Sequence, residues 1–104
     1  MSKIFIKSSL PVALTVLVAG ASATSKDIEF SDISSVELMT ARQNAKEKEF
    51  LIFHEYAAKV KLIDKDGNKH DVPYSVIAHT SSANLRKFEE LDYELTAKLA
   101  AESS

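Results

Sequence analysis

The chain has 104 residues, of which 45% are hydrophobic and 27% are charged, and its formal net charge is -2. This length accommodates one domain, and the slight negative charge is atypical of a nucleic-acid binder that depends on bulk positive charge. Because the chain has no cysteine, disulfide scaffolds, thiolate zinc sites and cysteine nucleophiles are excluded.

Residues 1–23 have the pattern of a secretory signal peptide. Lys3 and Lys7 supply a positive start, residues 10–19 form an uncharged and mostly apolar run, and the small residues that end at Ala23 match a cleavage site. The apolar run has about ten residues, whereas a membrane-spanning helix needs about 20. The pattern therefore predicts export rather than a spanning segment.

We predict cleavage between Ala23 and Thr24, which leaves residues 24–104 as a single small α+β domain. This domain has no second apolar stretch long enough to span a membrane. The expected location is the bacterial periplasm or the medium. The alternative is a leader that stays uncleaved as an N-terminal anchor.

The first secondary-structure signals follow the leader. Alternating polar and apolar residues over 26–33 indicate a brief strand or an extended lead-in to the next element. Ser34 and Glu37 then form a capping box, in which the serine accepts the amide of the third helical residue and the glutamate reaches back to the cap amide. Good helix formers follow, so we predict a helix over 35–48; the alternative is a strand over 36–42.

Residues 51–79 have the pattern of a β-hairpin. The segment Asp64-Lys-Asp-Gly67-Asn is a turn sequence, and Gly67 suits a positive φ. A two-residue loop would pair positions whose numbers add up to 133, which mixes polar and apolar residues on each face. A three-residue loop pairs positions that add up to 132 and separates them. We predict the second register, because a slip of one residue moves every side chain to the wrong face.

In this register Lys61 lies opposite Asp71 on the polar face. The apolar face consists of alternate residues that pair across the hairpin: Tyr56, Ala58, Val60, Val72, Tyr74 and Val76. Pro73 lacks an N–H group, so its strand is expected at the edge of the sheet. A third strand would therefore pair with residues 51–63, and otherwise that edge is open to a partner strand.

The last segment predicts an amphipathic helix over about 83–101. Leucine and phenylalanine recur at spacings of three and four residues in one stripe: Leu85, Phe88, Leu91, Leu95 and Leu99. The fold class is α+β, with a small antiparallel sheet formed by the hairpin at 51–79 and a third short strand. An N-terminal helix and this C-terminal helix are expected to cover the sheet.

The chemistry-bearing residues do not converge on a site. The predicted register separates His54 from His70 by roughly 26 Å at about 3.3 Å per residue, and it places His79 on the opposite face, across from Phe53. The turn at 64–68 lacks the glycine and acid positions of a calcium loop. Nucleophile and phosphate-loop motifs are also missing from the sequence. We predict no catalytic, cofactor or metal site.

Three residues are weak candidates for a functional surface: Phe53, His79 and Asp92. Asp92 falls inside the apolar stripe of the last helix, either as a buried carboxylate with a specific partner or at the stripe border in contact with water.

The sequence favours a small exported protein that works by binding, without catalysis. Its partner would be an envelope protein or a second copy, held through the open edge of strand 51–63. The alternative is a very small hydrolase or lyase whose site forms across an oligomer interface, where His54 or His79 would meet acids of another chain. A third hypothesis is a sensor or stress accessory without a stable partner.

Overall fold

The computed structural model describes residues 4–103. Within that range the chain forms an antiparallel sheet of order β1-β2-β3-β4 together with four helices. In chain order the elements are β1 Phe5–Val18, β2 Ala21–Ser31, α1 Ser35–Gln43, α2 Leu51–Lys59, β3 Val60–Ile63, β4 Lys69–Asp71, α3 Tyr74–His79 and α4 Ser82–Ser103. The predicted α+β class is confirmed.

Strands β1 and β2 form a long hairpin that ends in a two-residue turn. Val18 pairs with Ala21, and the turn residues Ala19 and Gly20 have φ angles of 49° and 82°. Two consecutive positive φ values are the mark of the type I′ turn, whose twist matches that of the strands it connects. Glycine reaches this conformation without a steric cost, so the Ala-Gly pair sets the end of the hairpin.

The hairpin ladder is interrupted near its middle. Pairing is regular up to Ser9 and resumes at Leu14, with a register shift between them. Pro11 lies inside this interruption and cannot donate a ladder hydrogen bond. The irregular stretch leaves backbone groups that need another partner.

Asn84 of α4 supplies that partner. Its side chain is fully buried; Oδ1 accepts from the Val12 N–H at 3.0 Å, and Nδ2 donates to the Val12 carbonyl at 2.9 Å. Nδ2 also donates to Thr80 Oγ1 at 2.9 Å. One amide side chain therefore satisfies both backbone groups of the interrupted strand and fixes α4 to β1.

The segment predicted as a leader is part of this sheet. Residues 5–18 form β1, and three of its side chains are almost completely buried in the core: Leu10, Leu14 and Val16. A chain cleaved after Ala23 would lose this strand, so cleavage and this fold exclude each other. Cleavage itself stays a prediction. Residues 1–3, which include Lys3 of the predicted leader, lie outside the described residues.

The predicted register of the second hairpin is confirmed. Lys61 pairs with Asp71 and Leu62 with His70, which are positions that add up to 132, and Gly67 has a φ of 83°. The third strand is β2, where Ile28 lies opposite Leu62. The short strand predicted over 26–33 is therefore real but begins earlier, at the hairpin turn.

The predicted length of that hairpin is wrong. Its outer parts are helices: Leu51–Lys59 is α2, and Tyr74–His79 is α3. Tyr56 is buried in α2, and Val60, four residues further on, is buried at the start of β3. Because a spacing of four residues keeps one face in a helix and in a strand, the apolar pattern did not show where the helix ends and the strand begins.

The predicted open edge at residues 51–63 is also wrong. β3 is an inner strand, because β2 pairs with one side of it and β4 with the other. β4 is an edge strand followed by Pro73, as predicted. The second edge of the sheet is β1.

The helix predicted after Ser34 is present but shorter. Ser34 Oγ accepts from the Glu37 N–H at 3.1 Å, and the Glu37 carboxylate accepts from the Ser34 N–H at 3.0 Å, which confirms the capping box. α1 ends at Gln43 rather than at 48. The alternative of a strand over 36–42 is wrong.

Helix α4 covers the buried face of the sheet through its predicted stripe. Phe88, Leu91 and Leu95 are at most 2% exposed, and the Phe88 ring lies 5.7 Å from that of Tyr56. α4 packs chiefly against β1 and also against β2, rather than against the predicted hairpin. In the described part of the chain no helix has the length and apolar character required to cross a membrane.

We expect Asn84→Ala to lower the free energy of unfolding by roughly 1–3 kcal/mol, because it removes the hydrogen bonds that this fully buried side chain makes to Val12 and Thr80. Urea denaturation of the full chain measures this. Asn44→Ala, at the exposed end of α1, is the matched control and should change stability little. Equal midpoints for the two variants would contradict the role assigned to Asn84.

Candidate functional site

Two of the three histidines each form a hydrogen bond with an acidic side chain. His54 Nε2 lies 2.9 Å from Glu49 Oε1, and His70 Nε2 lies 2.7 Å from Asp64 Oδ2. Among residues 4–103 no group of three or more histidine, cysteine and acidic side chains is placed to hold a metal ion. Each pair therefore fixes a local turn or helix start.

Asp64 organises the turn between β3 and β4. Its Oδ1 accepts from the backbone N–H groups of Asp66 and Asn68, both at 2.9 Å. The hydrogen bond with His70, followed by that with the Asn68 N–H, holds the pKa of Asp64 below its usual value of 3.8, although partial desolvation opposes this. The carboxylate is thus engaged on both oxygens by its own turn.

Phe53 and Asp92 also have structural partners. The Phe53 ring lies 5.4 Å from Phe50 and 6.1 Å from Tyr74, which makes it part of an aromatic cluster between α2 and α3. Asp92 Oδ1 lies 2.7 Å from Lys59 Nζ, and its side chain is 36% exposed. Asp92 therefore lies at the border of the apolar stripe, and neither residue forms a site with His79.

The sheet face opposite the helices carries alternating charges. One row across the four strands reads Lys7, Glu29, Lys61 and Asp71. Opposite charges on neighbouring strands stabilise a sheet. This row is charge-balanced within the chain.

Glu29 is unusual on this face because it is only 6% exposed. Its Oε2 forms an ion pair with Lys69 Nζ at 2.9 Å, without the alignment of a hydrogen bond. The same ammonium group lies 6.0 Å from the Phe5 ring, so Lys69 reaches across the face from β4. An adjoining cavity of about 390 Å³ is lined in part by Lys7 and Ile63. Since Glu29, Lys61 and Asp71 already have charged partners, this face gives no clear ligand preference.

The edge of β1 is different, because its backbone is partly free. A two-residue turn makes Val18 and Ala21 a hydrogen-bonded pair, so by alternation Val16 and Leu14 also bond to β2. Thr15 and Leu17 then direct their N–H and carbonyl groups away from β2. Among the described residues nothing else bonds to these groups.

Side chains of α4 bond to two other residues of this edge. Lys98 Nζ donates to the Phe5 carbonyl at 3.3 Å, and Asn84 holds Val12. The uncharged segment Leu14–Val18 stays free between the Asn84 contact and the hairpin turn. We call residues 14–18 the free edge.

The free edge is apolar and unprotected. Leu17 is 82% exposed and Val18 is 38% exposed. None of residues 8–25 is charged. Natural edge strands are usually guarded by lysine, proline or a bulge against pairing with other chains, and the free edge has none of these.

A groove separates the free edge from α3. Its volume is about 340 Å³, and residues of both elements line it: Ala13, Leu14 and Thr15 of β1 with Ser75, Val76, His79 and Thr80 of α3 and its end. His79, a weak candidate from the sequence, therefore lies in the groove, exposed and with hydroxyl groups nearby. Among the predicted candidates, only this one lies beside the free edge.

Comparison of the chain with protein-family models, with curated proteins and with solved structures finds no match.

The free edge was missed in the sequence because its residues were assigned to a leader. The signal for a strand was present: residues 14–18 are Leu-Thr-Val-Leu-Val, with three β-branched side chains, and an Ala-Gly turn separates them from another uncharged run. The uncharged composition satisfies both patterns, and only pairing with β2 distinguishes them.

We expect His70→Ala to raise the pKa of Asp64 towards 3.8, because it removes the largest cause of the lowered value. Because the pKa of Asp64 is lower in the folded chain than in the unfolded chain, the ionised carboxylate stabilises the fold at pH values above 3.8. This stabilisation is lost as the pH falls through the lowered pKa of the folded chain. NMR titration of the Asp64 carboxyl carbon measures the shift. His79→Ala, outside this turn, should leave the titration unchanged; a response equal to that of His70→Ala would contradict the assignment.

Proposed function

We propose that this chain is a non-catalytic interaction protein, which binds an extended segment of a partner polypeptide by strand addition to β1. The observation that carries the proposal is the free edge, a run of exposed, uncharged strand whose outward backbone groups lack partners. Strand addition obtains affinity from backbone hydrogen bonds and specificity from alternate side chains.

The geometry supports a short and defined contact. Thr15 and Leu17 each offer one N–H and one carbonyl, so an antiparallel partner strand gains four backbone hydrogen bonds. The opposite edge of the sheet is less suited, because β4 has three residues and is followed by Pro73. Binding is therefore directed to β1.

The groove beside the free edge adds side-chain contacts. Val76 offers an apolar surface, while Ser75, Thr80 and the imidazole of His79 offer hydrogen-bonding groups. These groups carry no fixed charge at neutral pH, apart from the titratable imidazole. The groove therefore favours a partner segment with small or apolar side chains.

The enzyme alternative has no specific observation in its favour. His54 pairs with Glu49 of its own chain, and the groove around His79 is lined by hydroxyl and apolar groups rather than by acids. An acid–base site would need a second titratable group within hydrogen-bond reach.

Export stays a prediction and bears directly on this proposal, because strand addition requires residues 14–18. We expect the active form to retain β1, so intact mass measurement of protein recovered from the producing cells should show an N-terminus upstream of Ile4. The mass of the full 104-residue chain, measured in the same experiment, is the reference. Recovery only of chains that begin at Thr24 would contradict this use of β1 and support the predicted cleavage.

We expect Thr15→Pro to weaken binding of extended peptides by about tenfold or more, because it removes an outward N–H while sparing the bonds to β2. The probes are eight-residue peptides selected from a random library on the immobilised full chain, with affinity read by fluorescence polarisation.

Thr15→Val is the matched control, since it removes the hydroxyl but keeps the N–H, and peptide affinity should stay unchanged. Circular dichroism and thermal melting verify that both variants fold. If the selected peptides bind Thr15→Pro as tightly as the parent, strand addition at the free edge is wrong.

A further inference from the structure

We propose that the occupant of the free edge is a second copy of this chain, joined in a two-fold symmetric dimer through antiparallel β1–β1 pairing. This inference rests on the proposed strand addition and names its partner. In the pairing, positions of the two copies add up to 32, so that Thr15 lies opposite Leu17 of the second copy and Val16 lies opposite itself. The two sheets then form one continuous sheet of eight strands.

The hydrogen-bond pattern permits this register. Thr15 and Leu17 are the residues whose backbone groups point away from β2, and antiparallel pairing requires that such outward residues face each other. The sum of 32 pairs each outward residue with another outward residue. A register shifted by one residue would pair an outward residue with one already bonded to β2.

The length of the free edge also fits a second copy. It is limited on one side by the turn at Ala19-Gly20 and on the other by Asn84, which already holds Val12. With an antiparallel second copy, the turn of one chain lies beside Val12 of the other. Pairing therefore ends in both chains where no free backbone remains.

The groove next to α3 accommodates the turn of the second copy. The register places Val18 of that copy beside Leu14 and its Ala19-Gly20 turn beside Ala13, at the mouth of the groove of about 340 Å³. Alanine and glycine are the smallest side chains, so the tip can enter against Val76. The same contact forms a second time by symmetry.

Charge favours this part of β1 over the rest of the strand. No residue from 8 to 25 is charged, so the two free edges meet without repulsion. Pairing through the start of β1 instead would bring Lys7 opposite Lys7 of the second copy, and like charges directly opposite each other destabilise a sheet. The uncharged run is thus the self-complementary part of the edge.

Sedimentation velocity of the full chain over a concentration series tests the dimer. The parent and Leu17→Thr are expected at twice the chain mass of 11.4 kDa. Leu17→Lys should weaken association by about tenfold or more, because it places two ammonium groups within two residues of the symmetry axis. Circular dichroism and thermal melting check that each variant folds.

Cross-linking tests the register. The chain has no cysteine, so Val16→Cys introduces a single thiol. In the proposed dimer the two thiols form a directly opposed, non-hydrogen-bonded pair with Cα atoms about 4.5 Å apart, a distance that a disulfide spans. Mild oxidation at low protein concentration should yield a covalent dimer, whereas Val72→Cys, which replaces an equally buried valine away from the free edge, should not.

Each outcome decides between the hypotheses. A dimer that Leu17→Lys disrupts, together with the Val16→Cys cross-link, supports the inference. A monomer at all concentrations overturns it but leaves strand addition intact if selected peptides still require the Thr15 N–H. A dimer that Leu17→Lys does not affect overturns it as well, because another surface then holds the two copies.

Discussion

The contact between Asn84 and Val12 is the constraint on which the rest of this structure depends. β1 is interrupted where Pro11 removes a donor, and the backbone groups of an interrupted strand need other partners. One buried side-chain amide provides both hydrogen bonds to Val12 and a third to Thr80. It thereby fixes α4 to the strand that it covers and marks one end of the free edge.

The two edge strands of the sheet, β1 and β4, differ in length and in how much of their edge a partner strand could reach. β4 is short, and Pro73 follows it, so its edge offers little to a partner. β1 has 14 residues and exposes Leu17, Val18 and Val12. An unprotected edge in a chain of this size invites pairing with other chains. The proposed strand addition is therefore assigned to this one short segment of β1.

The composition of the first 23 residues fits both a signal peptide and a β-strand. A leader needs an uncharged apolar run, and so does an edge strand with β-branched residues. In the folded chain Leu10, Leu14 and Val16 are almost completely buried and the strand pairs with β2 over most of its length. Cleavage after Ala23 and this fold exclude each other, because removal of the leader removes the strand.

The sequence by itself determined those features that depend on residues close in the chain. The capping box at Ser34, the stripe of α4, the register around Gly67 and the edge position of Pro73 each follow from local bonding or from a period. The tertiary structure alone decided between helix and strand where the apolar pattern fitted the periods of both. A spacing of four residues, as between Tyr56 and Val60, keeps one face in a helix and in a strand. In the folded chain Tyr56 lies in α2 and packs against Phe30 and Phe88, whereas Val60 begins β3. The place of β1 was likewise decided by contacts with β2 and with Asn84, 72 residues away from Val12, which local patterns do not contain.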